Sequence, residues 1–219
     1  PSLTIENYVK TIFQISSEKE NQPAATGELA TSLSVSPGTV TSMLKTLAES
    51  GLVTYQPYEG VRLTDAGSAL ALRVLRRHRL IEQFLVHTLG YAWDEVHEEA
   101  ENMEHAVSDA LVDRIDEYLG HPATDPHGDP IPRADGTMDR QPYESLWDWP
   151  VGETFRLARV MDQSPEFLRY LSETGLPLES AGSVASRRVE AGTVTITVED
   201  KAITLGREAA SKLLVLDQQ

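Results

Sequence analysis

The stretch SPGTVTSMLKTLAESG, residues 36–51, carries the clearest fold signal in the chain. Ser36 is a favoured helix N-cap, Pro37 suits the first helical position, and Gly51 is a typical C-terminal stop. Between these ends the apolar residues recur every three or four positions, at Val40, Met43, Leu44 and Leu47. This spacing predicts one amphipathic helix that opens with small polar residues.

The segments on either side of this helix extend the pattern. Upstream, GELATSLS (27–34) predicts a short helix that is joined to it by a tight turn at Ser34 and Val35. Downstream, LVTYQPYEGVRLT (52–64) has two short β-like runs around a Pro-Tyr-Glu-Gly turn, and this predicts a hairpin. An apolar stripe over 4–18 predicts one more helix. Together, residues 4–64 predict a winged helix-turn-helix that binds DNA, although a small helical domain can share this rhythm.

The acidic charge of the chain is concentrated in its middle. The 219 residues carry a formal net charge of −15. Residues 1–73 hold five basic and seven acidic residues, residues 74–149 hold six and seventeen, and residues 150–219 hold eight and ten. Because an acidic surface repels phosphate, any DNA contact is expected from the nearly neutral first third.

Three cysteine-dependent features and two locations are disfavoured by composition. The chain has no cysteine, which excludes disulfides, thiolate zinc sites and a cysteine nucleophile. It has no apolar run of membrane-spanning length and does not open with a secretory signal, so we expect a cytoplasmic protein without a membrane partner.

The segment HEEAENMEH, residues 97–105, predicts a metal site. If Trp93–Leu119 forms one long helical region, then His97, Glu101, Glu104 and His105 fall within an arc of about 100° on one face. Carboxylates that lie so close repel unless they are protonated or share a cation, and mixed nitrogen and oxygen ligands suit a first-row transition ion. Two alternatives are a solvated acidic face and a metallohydrolase with Glu101 or Glu104 as general base, although no hydrolase motif accompanies them.

A second pair of candidate ligands lies on a long predicted helix over 65–89. His78 and Glu82 are four residues apart beside the basic run RRHR (76–79), a spacing that lets both reach one ion. Two long helices with apolar seams would leave those seams exposed in a monomer, so we expect a homodimer.

The last third predicts a separate small β domain. HPATDPHGDPIPRADG, from residue 121, is too rich in Pro, Asp and Gly for regular structure, and His121 and His127 within it are expected to be structural. Several β-like runs follow, with helices predicted over 164–174 and within REAASKLL (207–214). The predicted domains are 1–73 (DNA binding), 74–140 (metal binding and dimerisation), a linker over 141–150 anchored by its tryptophans, and 151–219 (a small barrel).

This order of domains resembles the diphtheria toxin repressor family of metal-dependent transcription regulators, and in particular three-domain manganese transport regulators. The motifs that carry the resemblance are RRHRLIEQFL (76–85), DEVHEEAENMEHAVSD (94–109) and DPHGDPIP (125–132). The resemblance implies a mainly α chain with an SH3-like third domain. It also implies a homodimeric repressor, not an enzyme, that binds an inverted-repeat operator of metal-homeostasis genes when one or two ions per subunit are bound.

The resemblance also implies two sets of ligands. The first set is Asn7, Glu101, Glu104 and His105, and the second is His78, Glu82, His97, Gln163 and Glu166. Asn7 stands where manganese regulators carry Asp, Lys10 stands where two-domain manganese regulators carry a carboxylate, and Glu101 stands where iron regulators carry Cys. A site without sulfur favours manganese(II), with iron(II) as the alternative.

The residues expected to contact DNA lie on the helix predicted within 36–51 and on the hairpin. Ser36, Gly38, Thr39 and Ser42 are expected to face DNA, with Thr41 and Lys45 nearer to phosphate, because small hydroxyl residues at a helix N-terminus can hold phosphate. Arg62 in the hairpin is either a phosphate contact or a structural residue. None of these is a strong base-specific reader, so the operator sequence is not predicted.

Overall fold

The computed structural model describes residues 2–19, 21–139 and 141–218. The chain forms two units: the first comprises Pro1–His78, Glu104–Val107 and Pro132–Thr137, and the second comprises Arg79–Met103, Ser108–Ile131 and Met138–Gln219. The predicted boundary at residue 140 lies outside the described residues. Within the part of the chain that is described, no helix combines the length and apolarity that crossing a membrane requires.

The first unit has the predicted helices and hairpin. Its helices are α1 (Leu3–Glu18), α2 (Thr26–Ser32), α3 (Pro37–Glu49) and the first part of α4 (Asp65–Leu89), and its strands are β1 (Val53–Gln56) and β2 (Gly60–Leu63). Ser36 caps α3 by accepting a hydrogen bond from Thr39 N at 3.1 Å. The antiparallel β1–β2 hairpin forms the wing. Its base is held by Ala24, whose backbone exchanges two 3.0 Å hydrogen bonds with Val61.

The core of this unit explains why these elements pack together. Apolar residues of α1, α2, α3 and the wing are fully buried in one cluster, including Val9, Ile12, Leu29, Leu44, Leu47 and Val61. Gly67, at the start of α4, approaches Leu52 so closely that a Cβ there would lie 2.0 Å from the Leu52 carbonyl oxygen. A larger residue would push the wing away from α4.

The long helix predicted over Trp93–Leu119 is wrong in one respect, because the chain forms two helices with a turn between them. These helices are α5 (Val96–Met103) and α6 (Asp109–Tyr118). Ser108 caps α6 by accepting a hydrogen bond from Leu111 N at 3.2 Å. Glu104 and His105 therefore lie in a turn and not on the face of a helix that also carries His97.

The second unit contains the predicted small β domain. Its strands are β3 (Glu144–Ser145), β4 (Thr154–Val160), β5 (Ala181–Arg188), β6 (Thr193–Val198), β7 (Lys201–Gly206) and β8 (Leu213–Leu216), and its helices are α7 (Pro165–Thr174) and α8 (Arg207–Ser211). All six strands pair antiparallel in the order β3-β8-β4-β5-β6-β7 around an apolar core. The predicted fold class, mainly α with a small SH3-like β domain, is confirmed.

Two local predictions for this domain were incomplete. The helix predicted within 207–214 ends at Ser211, and Leu213–Leu216 forms β8, because Leu213 and Val215 alternate into the core between β3 and β4. The segment predicted as a linker contributes β3 and places Leu146 and Trp147 in the same core. An apolar alternation with a period of two over only four residues is a weak signal for a strand when it directly follows a helix-like run.

Candidate metal centres and DNA-reading helix

The first candidate metal centre lies in the first unit, around the carboxylate of Glu104. This side chain is fully buried in the turn after α5. Its Oε1 lies 2.7 Å from Lys10 Nζ on α1, and its Oε2 lies 2.6 Å from His78 Nδ1 on α4. Burial raises the pKa of Glu104, but His78 and Lys10 outweigh burial and hold this pKa below its ordinary value. The carboxylate is therefore ionised at neutral pH and can act as a ligand.

His105, the next residue, faces the same helix α1. Its Nδ1 lies 2.8 Å from Glu6 Oε2, and its Nε2 lies 3.1 Å from Glu104 Oε1. Arg77 Nη1 lies 3.6 Å from the other oxygen of Glu6. Glu6 is thus part of this cluster, although the sequence argument named only its neighbour Asn7.

Two buried atoms of this centre make no well-oriented hydrogen bond among the described residues, although one of them, His105 Nε2, lies 3.1 Å from Glu104 Oε1. They are Asn7 Oδ1 and His105 Nε2. A buried polar atom without a partner costs about 1–3 kcal/mol, so such atoms call for a physical explanation. A carboxylate, an imidazole nitrogen and an amide oxygen are all ligands that a divalent first-row ion accepts. These residues therefore fit the ion that the sequence predicts.

The remaining predicted ligands belong to the second unit. Glu101 on α5 lies 3.7 Å from His97 Nε2, and His97 Nδ1 lies 3.1 Å from Glu82 Oε1 on α4. The His97 side chain is 49% exposed, whereas that of Glu82 is 1% exposed. Glu82 therefore presents a buried carboxylate to a histidine that reaches solvent.

Glu82 also faces a second histidine, His127, in the loop DPHGD. Glu82, Asp125 and His127 each offer a ligand atom within 4.8 Å of the others, and all three are buried. His127 Nε2 donates to Trp93 O at 2.7 Å, which orients the ring, while Nδ1 lies 3.7 Å from Glu82 and 4.0 Å from Asp125. A histidine held by one nitrogen with the other aimed at carboxylates is a typical metal-binding arrangement.

The electrostatics of this second cluster show how strongly its charges interact. Burial lowers the pKa of His127, but the carboxylates of Glu82 and Asp125 outweigh burial and raise this pKa to about 9. Burial, Asp129 and Glu82 together raise the pKa of Asp125 to about 7. Arg79 and Arg159 neutralise Asp129, and Arg79 Nε also lies 3.7 Å from Asp125 Oδ2, so Glu82 and Asp125 are the carboxylates that face His127.

The loop that carries His127 is held rigidly. Asp125 Oδ1 accepts hydrogen bonds from the backbone N–H groups of His127 and Asp129, at 2.8 and 3.0 Å. Gly128 has a φ of +86°, and a Cβ there would lie 2.0 Å from Ala158 O on β4. Only glycine permits both the conformation and this close approach.

Asp129, at the end of this loop, makes several ion pairs and hydrogen bonds. Its carboxylate pairs with Arg159, lies 3.4 Å from Arg79 Nη2 and accepts from Gln163 Nε2 at 2.9 Å. The structure thus brings Gln163 to the loop through Asp129, and it places Glu166 in the first turn of α7.

Glu6, Asp125 and His127 lie in these clusters but were not among the ligands expected from the sequence. His127 was expected to be only structural because a Pro- and Gly-rich loop gives no hint of its neighbours. The pair Asp125 and His127, two residues apart in the motif DPHGDPIP, was the available signal.

On the DNA-binding side, the predicted contact residues lie on the exposed part of α3. Ser36, Gly38, Thr39, Ser42 and Lys45 are exposed, and Thr41 is half-buried. Thr41 Oγ1 donates to Pro37 O at 3.0 Å. Arg62 of the wing donates to Asn21 O at 2.6 Å, so its guanidinium is engaged by the segment between α1 and α2. This contact favours the structural interpretation of Arg62.

Comparison with known proteins supports the same division of roles. The domain described as "Iron dependent repressor, N-terminal DNA binding domain" matches residues 2–61. "Iron dependent repressor, metal binding and dimerisation domain" matches residues 64–133, and "FeoA domain" matches residues 145–216.

Two relatives and one solved structure are similar over nearly the whole chain. The iron-dependent repressor IdeR of Mycobacterium tuberculosis is 31% identical, over 97% of this chain and 96% of the relative. The diphtheria toxin repressor of Corynebacterium efficiens is 33% identical, over 97% and 94%. A structure described as a manganese-dependent transcriptional repressor in complex with manganese superposes with a TM-score of 0.87 at 41% identity, over 98% of this chain and 100% of that one. The chain therefore belongs to the iron-dependent repressor family, the metal-dependent transcriptional repressors that include the diphtheria toxin repressor.

Proposed function

We propose that this chain is a manganese(II)-dependent repressor that binds an inverted-repeat operator of metal uptake and homeostasis genes as a homodimer. The observation that carries the proposal is the cluster in the first unit. There, ligand atoms from the turn at Glu104 and His105 face α1, the first helix of the DNA-binding domain. An ion held at this cluster would tie the turn to α1.

The first centre is proposed to use Asn7, Glu104 and His105, with Glu101 as the further ligand that the resemblance adds. The unsatisfied Asn7 Oδ1 and His105 Nε2 support the first three. A bound cation would add positive charge beside the ionised carboxylate of Glu104. The protein's own residues do the rest: Glu104 is held ionised by His78 and Lys10, and His105 is oriented by Glu6.

Manganese(II) is proposed over iron(II) because the candidate ligands are oxygens and nitrogens without sulfur. The chain has no cysteine, so no thiolate can join either centre. The relative with 41% identity is described as a manganese-dependent repressor, whereas those named IdeR are described as iron-dependent. Anaerobic operator binding measured with manganese(II) alone and with iron(II) alone distinguishes the two: stronger activation by manganese(II) supports the proposal, and activation by iron(II) but not by manganese(II) overturns it.

A second ion per subunit is proposed at Glu82. The resemblance assigns His78, His97, Gln163 and Glu166 to this ion, whereas the geometry within the second unit adds Asp125 and His127. Elemental analysis of His127→Ala and His97→Ala separates these ligand sets. If the loop holds the ion, His127→Ala loses one equivalent of metal. His121→Ala is the matched control, because the His121 side chain is 73% exposed.

Repression is proposed to follow from a shift in population. The turn is covalently continuous with α5 and α6, so anchoring it on α1 restricts the conformations that the DNA-binding helices can adopt in the dimer. Only one spacing of two α3 helices fits successive half-sites, which lie about 34–36 Å apart on B-DNA. Allosteric coupling of this kind typically changes affinity by about 5–150-fold.

The deciding experiment measures operator binding with and without metal. Promoter fragments are titrated with protein by mobility shift in manganese(II) and again in excess chelator. We expect metal to strengthen binding of the natural chain and to have little effect on Glu104→Gln or His105→Ala. Glu99→Gln and His87→Ala change the same residue types at exposed positions and serve as controls. Equal binding before and after chelation by the natural chain would refute the proposed function.

A further inference from the structure

A cleft of about 520 Å³ opens in the first unit between α3 and the wing. Its walls include Thr26 at the start of α2, Thr41 and Lys45 on α3, and Tyr55 and Tyr58 on the wing. The cleft is continuous with the exposed face of α3, within the segment that matches a DNA-binding domain.

The Tyr58 side chain at the tip of the wing is fully exposed to solvent, on a backbone with positive φ. This side chain is 106% exposed, and its backbone has a φ of +69° at the tip of the hairpin. A tyrosine ring buries a large apolar area when it has a partner, and this ring lines a cleft with α3 residues of the matched DNA-binding domain, so it is a candidate contact.

The wing is fixed at its base, so Tyr58 is held in place relative to α3. Besides the hydrogen bonds between Ala24 and Val61, Arg62 donates to Asn21 O. A Cβ at Gly60 would lie 2.7 Å from Ala24 O, which shows how tightly the wing packs on this segment. A rigid wing places its tip without the entropic cost of ordering a loop on binding.

The charge in the cleft fits a single strand of a phosphate backbone. Lys45 is the one cationic side chain among the described residues that line it, and Thr26 and Thr41 add hydroxyl groups. The chain as a whole carries a net charge of −15, so a lysine that lines this cleft is a candidate phosphate contact.

We propose that this cleft seats one strand of the operator backbone, with Lys45 on a phosphate and the ring of Tyr58 against the sugar of a nucleotide that flanks the half-site. The inference rests on the proposed function, since it concerns the same complex with DNA. It assigns the contact on the wing to Tyr58 and not to Arg62, whose guanidinium is bound to the chain itself.

Lys45 and Tyr58 are expected to contribute to DNA binding in different ways, so experiments can distinguish their effects. Each phosphate neutralised by a cation contributes about 0.9 to the slope of log affinity against log salt. With two Lys45 side chains in a dimer, Lys45→Gln is expected to reduce the slope by about 1.8. Tyr58→Ala is expected to weaken operator binding about 5- to 20-fold at every salt concentration, because an uncharged contact releases no counterions. Tyr58→Phe keeps the ring and is expected to bind within about 2-fold of the natural chain.

The experiment uses the full chain loaded with manganese(II) and a duplex selected by the natural chain from a random library. Anisotropy titrations at several salt concentrations give affinities and slopes, and hydroxyl-radical footprints report which sugars are covered. Tyr58→Ala is expected to lose protection of the sugars that flank each half-site. Tyr170→Ala, a partly exposed tyrosine on α7, is the control for a general effect of removing a ring.

The outcomes distinguish this inference from the function on which it rests. If the natural chain shows no metal-stimulated binding, the proposed function fails. If the natural chain binds, but Tyr58→Ala binds equally well with an unchanged footprint, only the contact in the cleft is overturned. An unchanged slope for Lys45→Gln also overturns it.

Discussion

Replacing Lys10 with methionine should destabilise the metal-free protein and enlarge its response to metal. Lys10 is 5% exposed, and its ammonium lies 2.7 Å from a carboxylate that is fully buried. Methionine keeps much of the aliphatic stem but removes the charge, so His78 remains as the neighbour that offsets the charge of Glu104. Removing one partner of a buried pair typically costs about 3–5 kcal/mol, and the His78 contact places this case near the lower end.

The expected changes in melting temperature follow from this magnitude. For a chain of this size, a loss of about 3 kcal/mol lowers the Tm by roughly 6–12 °C. Free manganese(II) at 100 times its Kd stabilises a native state by about 2.7 kcal/mol. The variant should gain more than the natural chain, since the ion also offsets the charge of Glu104 that Lys10 no longer neutralises.

Thermal denaturation followed by circular dichroism, with chelator and with manganese(II), checks both parts of this prediction. Lys201→Met, at an exposed position on β7, is the matched control and should behave as the natural chain. Two results would refute the reasoning: a metal-free Lys10→Met protein whose Tm lies within about 2 °C of the natural chain, or an increase with metal that is no larger in the variant.

Three further predictions concern the second unit. Gly128→Ala should lower the Tm and weaken metal binding at Glu82, because the new Cβ would meet Ala158 O; both are measurable by thermal denaturation and by calorimetric titration. Although burial raises the pKa of Asp129, its two arginines outweigh burial and lower this pKa, so its stabilisation is present above pH ~4 and is lost as pH falls below that value. Urea unfolding should therefore show Asp129→Asn less stable than the natural chain at pH 7, with the difference shrinking below pH ~4. Ser108→Ala removes the N-cap of α6 and should cost about 1 kcal/mol in urea unfolding, whereas Ser164→Ala, at a cap without a side-chain hydrogen bond, should cost less.

The elements with local sequence signals were predictable. The helix α3 has a capping serine, a proline at its first position and a glycine after its end, and the structure has this helix at Pro37–Glu49. The wing and the long helix α4 follow equally from turn residues and apolar spacing. The family resemblance added what local signals lack, namely the SH3-like identity of the last domain.

The features that depend on distant contacts were not predictable. Nothing between Met103 and Ser108 is a glycine or a proline, yet the helix ends there, and Glu104 is buried against Lys10, which lies 94 residues earlier. His127 gains Glu82 as a neighbour only because its loop packs beside that residue, 45 positions earlier in the chain. Helical spacing alone therefore indicated the wrong local geometry for Glu104 and His105.

The break between α5 and α6 has a direct consequence for the metal centre. On a helix, adjacent residues point about 100° apart, so Glu104 and His105 would lie at opposite edges of the predicted ligand face. In the turn, Glu104 Oε1 and His105 Nε2 lie 3.1 Å apart, and both side chains reach α1 through Lys10 and Glu6. Two ligands that are adjacent in sequence can then converge on one ion while the helices on either side remain regular. A ligand pair on a turn also moves with that turn, which is what a switch needs if metal is to restrain α1 and DNA binding is to respond.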